Sequence, residues 1–313
     1  MTSSGDPRPF DLRTEPDLSR ASHPGRILRY ARGPERALAM AGHLRGLSTA
    51  PDPASPLGAS EAAQRASKLE RCGSYLVFRD YEALREIRLH AAKFCQQDKL
   101  CPVCALRRAG RMIRKTCERV LAVMAASPAL VPYLVTVTVR DGADLAERLA
   151  HLRRGLQLLN QRRKNALRGA GCSLMSNVAG GVWSIELKRG SGSGLWHPHS
   201  HAVWLCPSPP SAADLSREWL AITGDSHVVD VQPFHRPADP GTDLCEVFKY
   251  ALKLADLSFA DNVAAWLSVR GRNLVGSFGA LRGLDLPADL LDEPVDADLP
   301  YIELLYRHFV GVG

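Results

Sequence analysis

Hydrophobic residues recur along the chain with two different periods, which indicates a mixture of strands and helices. The segment 133–140 (YLVTVTVR) is rich in β-branched residues, which favour a pleated, half-buried strand. In 144–169, leucines recur every three or four positions, the spacing of one face of an amphipathic helix. Similar patterns predict strands over 72–80, 180–190, 196–206 and 227–232. They predict helices over 35–46, 61–71, the second half of 90–126, 211–223 and 242–257.

The order of these elements indicates an α+β fold. Strands and helices mix without a regular strand–helix–strand alternation, so a parallel sheet is not expected. The segment SGSG (191–194) fits a hairpin loop, which makes strands 180–190 and 196–206 antiparallel neighbours. We therefore expect a central antiparallel sheet with flanking helices. The helix over 242–257 is expected to be capped by Thr242 or Asp243.

Charge is unevenly distributed along the 313 residues, whose net charge is +7. The last 33 residues hold seven acidic and two basic residues, which leaves 38 basic and 26 acidic residues in 1–280. A basic body favours a polyanionic partner, most often nucleic acid, although a solvated basic surface would give the same count.

The chain contains no apolar run near the ~20 residues that span a bilayer, which argues against an integral membrane protein. Its first twenty residues have no apolar core of a secretory signal. We therefore expect a cytoplasmic protein with no membrane partner. In that reducing compartment, crowded cysteines are read as metal ligands before disulfides.

Three cysteines are crowded into ten positions, as Cys95-x5-Cys101-x2-Cys104. Two cysteines three apart can form a tight turn around Zn²⁺, which takes four ligands in a tetrahedron. Cys72, followed by a glycine, is the preferred fourth ligand; His90 and Cys117 are alternatives. A redox pair would also contain the Cys-x2-Cys step. With four thiolates the zinc would be structural.

Basic residues follow the cysteine motif directly. A small zinc-bound unit leading into a basic helix is suited to holding a nucleic acid backbone. The candidate DNA contacts are Arg107, Arg108, Arg111, Arg114 and Lys115.

Three histidines occupy alternate positions at the start of the strand over 196–206. Side chains two apart share one strand face, so His199 and His201 can bind one divalent ion. Glu186, the only acid in 180–190, can supply a third ligand from the neighbouring strand. His197 shares the face but lies at the beginning of the strand, and it is a less favoured metal ligand than the other two histidines. A solvent-facing histidine loop is the alternative interpretation.

A tyrosine lies between charged residues on the last predicted helix. Glu246, Tyr250 and Lys253 fall on one helix face because positions three and four apart are neighbours. Lys253 and Lys249 could favour the phenolate or hold a phosphate. A phenolate near a metal can attack phosphorus, and Glu246 could later activate water or a hydroxyl. Packing of Tyr250 in the core is the alternative.

The three blocks LVTVTVR, HPHSHAV and EVFKYALK, in this order, resemble motifs of the HUH endonucleases. In particular they resemble the single-tyrosine rolling-circle replication initiators of small bacterial plasmids. The resemblance covers roughly residues 70–280, and many members of that family also carry an upstream cysteine segment. Two features depart from the pattern: Ser200 replaces a usually bulky hydrophobic residue, and the Pro-rich leader and acidic tail match no motif.

The resemblance implies a ferredoxin-like or RRM-like palm and a tyrosine that nicks DNA. His199 and His201, with Glu186, would bind the catalytic Mg²⁺ or Mn²⁺. Tyr250 would be the nucleophile. Glu246 would be the terminating carboxylate, and Lys253 would position the phosphate. The implied substrate is single-stranded or hairpin plasmid origin DNA, and a host helicase and polymerase are the implied protein partners.

Three other functions share parts of these motifs. A single-strand HUH transposase or a conjugative relaxase would use the same chemistry. A non-catalytic zinc protein that binds DNA would keep the cysteines and the charge but not the histidine and tyrosine roles.

The sequence predicts four regions, which differ in composition. Residues 1–60 hold eight of the 21 prolines and are expected to be largely disordered, with one helix. A zinc module with its basic helix follows over 61–126. The catalytic nuclease domain spans 127–280, and an acidic tail spans 281–313.

Overall fold

A computed structural model describes residues 10–11, 24–50, 56–238, 240–248, 257–283, 290–292, 295 and 299–307. The chain forms two compact units, one made of residues 1–108 and 287–313 and the other of residues 109–286. Their boundary does not coincide with the predicted ones, because it lies inside the helix α3, Pro102–Ala126. The division into zinc module, nuclease domain and tail stays a prediction.

In its described residues, the first unit combines two complete helices and the start of α3 with a small sheet. The helices are α1 (Pro24–Thr49) and α2 (Ala59–Glu70). The strands in the described residues are β1 (Phe10–Asp11), β2 (Tyr75–Tyr81), β3 (Glu86–Ala92) and β9 (Ile302–Arg307), in the order β1-β9-β2-β3. The short β1–β9 pair is parallel and the other pairs are antiparallel. Strand β9 shows that part of the predicted acidic tail belongs to this sheet.

Helix α1 lies in the stretch that is expected to be largely disordered. It includes the predicted helical segment 35–46 and is longer on both sides. Ala37, Met40, Ala41 and Leu44 are fully or almost fully buried, because α1 packs against α2. Burial of these apolar side chains is what stabilises the helix there.

The second unit contains a five-stranded antiparallel sheet in the described residues, with the order β7-β4-β6-β5-β8. The strands are β4 (Val131–Thr138), β5 (Gly180–Arg189), β6 (Trp196–Cys206), β7 (Val229–Pro233) and β8 (Val275–Gly279). The helices are α4 (Leu145–Ala166), α5 (Ala212–Thr223), α6 (Gly241–Val247) and α7 (Phe259–Ser268). The α+β class with antiparallel sheets and flanking helices is confirmed. None of the helices in the described ranges is long and apolar enough to cross a bilayer.

The two faces of this sheet have different neighbours. Val182, Val203 and Leu205 on one face form a core with α6 and the second half of α3. The other face contacts α4, where Leu156 and Leu159 lie against the central strands. Because side chains alternate along a strand, β6 directs its histidines to the α6 face and Ser200 to the α4 face.

Helix caps show where local sequence signals decide the structure and where they do not. Asp144 caps α4 by accepting hydrogen bonds from the backbone N–H groups of Ala146 and Glu147, at 2.7 and 3.1 Å. The predicted cap of the later helix is wrong: α6 begins after Pro240, without a side-chain cap. Asp243 is buried instead and accepts a hydrogen bond from the backbone N–H of His235 at 3.2 Å.

Asp225 connects the loop after α5 to α4, and it makes stability depend on pH. Its carboxylate lies 3.0 Å from both Arg148 and His151. Partial burial opposes the shift, but hydrogen bonds from Ser226, His151 and Arg148 lower the pKa of Asp225 to about 2. A lowered pKa in the folded state contributes stability above the unfolded pKa of about 3.9, and this contribution is lost as the pH falls towards 2.

We expect Asp225→Asn to lower the free energy of unfolding at pH 7 by about 1–2 kcal/mol, because the charged contacts to α4 are lost. At pH 3 the difference from the unmodified protein should be roughly half as large. Urea unfolding at the two pH values measures it, with Asp230→Asn, on the exposed part of β7, as the control. An equal effect of both substitutions would contradict this role of Asp225.

Candidate metal centres and catalytic face

The β5–β6 hairpin brings one carboxylate and two imidazoles together. Glu186 lies directly opposite His199 in the strand register, and His201 is the next residue on the same face. The Nε2 atoms of His199 and His201 lie 3.3 and 3.1 Å from Glu186 Oε2. All three ligand atoms lie within 4.8 Å of one another. The side chains of His199 and Glu186 are almost completely buried, and that of His201 is 20% exposed.

The hydrogen bond at Nδ1 of His199 leaves its Nε2 as an acceptor that faces another acceptor, Oε2 of Glu186. Its Nδ1 lies 3.2 Å from the carbonyl oxygen of His197. Since a carbonyl only accepts, Nδ1 carries the proton and Nε2 presents its lone pair towards Glu186. Burial is the main cause that lowers the pKa of His199, although Glu186 opposes it, so the neutral ring is favoured. Two acceptors facing each other are stabilised by a shared cation, so these residues fit a divalent metal ion.

Thr136 orients the second histidine. It lies directly opposite His201 in the β4–β6 register, and its hydroxyl is 3.0 Å from His201 Nδ1. A partner on Nδ1 fixes the ring and leaves Nε2 for a metal. The sequence motif contains Thr136, but no role was predicted for it. Alternation within 133–140 could have placed it on the histidine face once the strand pairing was known.

His197 is held by a different partner. Its Nδ1 lies 2.5 Å from Asp141 Oδ1, and its ring centroid is 5.1 Å from that of His199. Burial opposes the shift, but hydrogen bonds from Ser193 and His197 lower the pKa of Asp141. His197 therefore lies beside the three converging ligands, at the edge of the site.

The C-terminal end of α6 packs on the same sheet face as the three candidate ligands. The Ser184 hydroxyl donates a hydrogen bond to the carbonyl oxygen of Val247, and Ser184 precedes Glu186 by two residues on β5. Leu244, Val247 and Phe248 are buried in the core of this face. Glu246 belongs to α6. The predicted residues Lys249, Tyr250 and Lys253 lie outside the described residues.

Four cysteines form a second cluster, within the first unit. Cys72 follows α2, and Gly73 after it has φ 73°, a left-handed conformation that glycine adopts without strain. The sulfur atom of Cys72 lies 3.4 Å from that of Cys101 and 3.5 Å from that of Cys104. Cys95 Sγ lies 3.6 Å from Cys104 Sγ. A disulfide requires about 2.05 Å, so these distances describe separate thiols.

The cysteine cluster fits a tetrahedral metal. Four sulfurs bound to Zn²⁺ at about 2.3 Å lie about 3.8 Å apart, close to the observed separations. The hydrogen bond with Cys104 and burial raise the pKa of the Cys101 thiol well above its ordinary range. Four thiolates at these positions therefore need a cation that compensates their negative charge. Of the alternatives, His90 is exposed on β3 and Cys117 packs in the core of the second unit.

The basic residues after the cysteines differ in their availability. Arg107 is buried, and its guanidinium binds the carbonyl oxygen of Leu290 at 2.7 Å and Asp292 at 3.0 Å. The prediction that Arg107 contacts DNA is therefore wrong, because its charge is compensated inside the first unit. Arg108 pairs with Asp98 at 2.9 Å. Arg114 is exposed, Arg111 is half-buried, and Lys115 lies 3.3 Å from Glu118.

A small cavity lies behind the histidine strand, between the sheet and α4. It has a volume of about 40 Å³, and Trp183, Trp204 and Phe278 are part of its lining. Ser200 Oγ and Asn160 Oδ1 line it too, and neither has a hydrogen-bond partner within the described part of the protein. The small side chain of Ser200 does not fill this space.

Filling the cavity should stabilise the protein. We expect Ser200→Val to raise the melting temperature by about 2–4 °C, because it removes an unsatisfied hydroxyl and fills a void, together about 1 kcal/mol. Ser200→Ala removes the hydroxyl alone and should give a smaller gain. Thermal unfolding of the three proteins compares these effects. A lower melting temperature for the valine variant than for the alanine variant would show that the space is not available.

Comparison with known proteins decides the family. The family model described as "Replication protein" matches residues 86–282, more than half of the chain. The chain belongs to the replication protein family. The resemblance to Rep proteins of the HUH superfamily is thereby confirmed at the level of the family. The match includes the Glu186, His199 and His201 site, whereas Cys72 lies outside it.

Two curated relatives of this replication protein carry the name "Protein rep". One, from Bacillus sp, is 28% identical over 153 residues, which cover 48% of this chain and 46% of the relative. The other, from Streptococcus pneumoniae serotype 2 (strain D39 / NCTC 7466), is 27% identical over 173 residues, 53% of this chain and 51% of the relative. The chain spans about half the length of these relatives. No solved structure matches this replication protein.

Proposed function

We propose that this replication protein initiates rolling-circle replication of a plasmid by nicking and rejoining single-stranded origin DNA. The observation that carries the proposal is the convergence of Glu186, His199 and His201 on the sheet face against which the end of α6 packs. Family membership favours a role in replication. The three ligands favour a metal-dependent reaction on a phosphate.

The metal ligands have a defined task in this proposal. Glu186, His199 and His201 would hold Mg²⁺ or Mn²⁺, which would polarise the scissile phosphate as a Lewis acid. Thr136 and the carbonyl oxygen of His197 would keep the two rings in the ligating orientation. Glu186 is fully buried, so its carboxylate would meet the metal in a site shielded from bulk water on that side.

Tyr250 is proposed as the nucleophile. Its phenolate oxygen would attack phosphorus, the bond from phosphorus to the 3′ oxygen would break, and that oxygen would take up a proton. The 5′ end would remain as a phosphotyrosine, so the energy of the phosphodiester bond would be conserved. Chain length supports this assignment. Val247 contacts Ser184, two residues before Glu186 on β5, and Tyr250 follows Val247 by three residues, which span at most about 11 Å.

The neighbouring residues on the same segment would complete the cycle. Lys249 and Lys253 would hold the phosphate or favour the phenolate, and Glu246 would activate the hydroxyl that ends the reaction. In the first unit, Cys72, Cys95, Cys101 and Cys104 would bind a structural zinc ion. The proposed DNA contacts on α3 are Arg108, Arg111, Arg114 and Lys115. Host polymerase would extend the released 3′-OH, and a host helicase would open the duplex.

The decisive experiment uses single-stranded DNA and the full chain. We expect incubation with Mn²⁺ and a pool of randomised single-stranded oligonucleotides to give a covalent adduct that survives denaturing electrophoresis. Tyr250→Phe should abolish the adduct, because the variant lacks the attacking oxygen. Tyr301→Phe, which changes an exposed tyrosine, is the matched control and should react normally.

Other outcomes separate the competing functions. DNA binding without any adduct would favour the non-catalytic zinc protein and contradict the proposal. Adduct formation that persists in Tyr250→Phe would assign the chemistry to another residue. A transposase or relaxase shares the adduct and would differ in joining the strand to a second DNA instead of closing a circle.

A further inference from the structure

Two long segments of the second unit contain basic residues and no acidic ones. Residues 148–185 hold seven lysines and arginines without an aspartate or glutamate, and residues 262–284 hold three arginines without an acid. The first segment contains most of α4, and the second contains β8. Such a separation of charge over a folded surface creates a positive potential that attracts polyanions.

The fold brings the two segments together along one edge. Strand β8 is an outer strand of the sheet and pairs with β5. Arg153 on α4 donates to the carbonyl oxygen of Asn273 at 2.7 Å, just before β8. Arg163 on α4 donates hydrogen bonds to the carbonyl oxygens of Val178 and Ala179, at 3.0 and 3.2 Å. Its guanidinium also lies over the Phe278 ring of β8. The cations of both segments therefore follow the same edge.

Two arginines of α4 each have an arginine of the second segment nearby. Arg153 and Lys164 are eleven residues apart on α4, so they share a helix face and lie about 16 Å apart along the axis. Burial and the nearby Arg272 lower the pKa of Arg153. Burial and the nearby Arg282 likewise lower the pKa of Arg163. We call this set the basic edge. Its members are Arg153, Arg163, Lys164, Arg272 and Arg282.

We propose that the basic edge binds the phosphate backbone of duplex DNA, as a second DNA surface besides the metal site. This inference rests on the proposed function in taking DNA as the polyanion. A row about 16 Å long corresponds to about five base pairs of duplex at 3.4 Å each. Helix α4 packs on the sheet face opposite to His199 and His201, so the edge and the metal site can be used at the same time.

The chemistry of the edge favours duplex over single-stranded DNA. Single strands are held by cations together with exposed aromatic rings on which bases stack. Of the rings beside the described part of this edge, Phe278 and Trp266 are only 6% and 7% exposed, with Arg163 and Arg270 over them. Trp183, which lies against Gly276 of β8, is half-buried. The edge therefore presents guanidinium and ammonium groups for phosphates, and none of these three rings is exposed enough to serve as an open stacking platform.

The test measures binding of the full chain to a fluorescent 20-base-pair duplex of arbitrary sequence, without added divalent metal. We expect the triple variant Lys164→Gln, Arg272→Gln, Arg282→Gln to bind the duplex at least about tenfold more weakly at 100 mM salt. The slope of log K against log salt should fall by about 2–3, because about three phosphate contacts are lost. The matched control neutralises three exposed cations elsewhere, with Lys68→Gln, Arg71→Gln and Arg217→Gln.

The outcomes separate this inference from the proposed function. Three results would overturn the basic edge as a duplex site. The salt slope could be unchanged in the triple variant, the control variant could lose as much duplex affinity, or the triple variant could bind only single strands more weakly. If the duplex affinity falls as expected while the unmodified protein forms no covalent adduct, the inference stands and the nicking proposal fails. If the triple variant keeps both its duplex affinity and its adduct with single strands, the nicking proposal stands and the inference fails.

Discussion

Replacing Glu186 by glutamine should abolish tight Mn²⁺ binding and slow adduct formation by about 10³-fold or more. The carboxylate is fully buried, and its Oε2 lies within 3.3 Å of both imidazole Nε2 atoms. Glutamine keeps the size of the side chain but removes the negative charge and can place an N–H group towards the rings. A buried site that loses its one anionic ligand loses most of its affinity for a divalent ion.

Titration of the protein with Mn²⁺, followed by electron paramagnetic resonance, measures the binding, and the rate of adduct formation measures the reaction. Glu147→Gln is the matched control, because Glu147 is exposed on α4 and remote from the histidines along the chain. Wild-type Mn²⁺ affinity in Glu186→Gln would contradict the assignment of the site. A folded variant with normal secondary structure is required for the comparison, and circular dichroism verifies it.

Replacing Cys101 by serine should remove one equivalent of bound zinc and unfold the first unit around the cluster. The four sulfurs are within 4.8 Å of one another, and three of the four cysteines are buried. A site with three of its four ligands holds zinc less tightly. Because structural zinc contributes on the order of 10 kcal/mol to the folding of small metal-bound units, loss of the ion destabilises the unit. We expect amides of α2 and β2 to exchange hydrogen at least about 100-fold faster, while the β5–β6 hairpin keeps its protection.

Zinc analysis by mass spectrometry and hydrogen exchange of the full chain measure both effects. Cys172→Ser, at an exposed cysteine of the second unit, should keep the zinc and the exchange pattern. A protein that is purified without zinc and is nevertheless fully protected in α2 and β2 would contradict the structural role of the metal.

Local patterns were sufficient to predict the hairpin that carries the three candidate metal ligands. The alternation in 180–190 and 196–206 and the SGSG loop determine which side chains share a face. The observed pairing of Glu186 with His199 follows from that register. The leucine spacing and the Asp144 cap likewise predicted α4 to within a few residues.

Features that depend on distant parts of the chain could not be predicted in this way. Arg107 is buried because Leu290 and Asp292, more than 180 residues later, bind its guanidinium. Asp243 lies in the first turn of α6 but does not cap the helix, because its carboxylate accepts a hydrogen bond from the backbone N–H of His235. Strands β3, β8 and β9 have weak local signals and are stabilised by pairing with their neighbours. Only the tertiary structure supplies these partners.

The proposed function requires that Tyr250 forms the covalent bond with DNA at the metal site. Digestion of the adduct with nuclease and protease, followed by mass spectrometry, identifies the residue that keeps the nucleotide. We predict a single modified peptide with the 5′ phosphate of the nucleotide on Tyr250, formed only when Mn²⁺ or Mg²⁺ is present. A nucleotide on any other residue would contradict the role of Tyr250, and an adduct that forms without metal would contradict the role of the metal site.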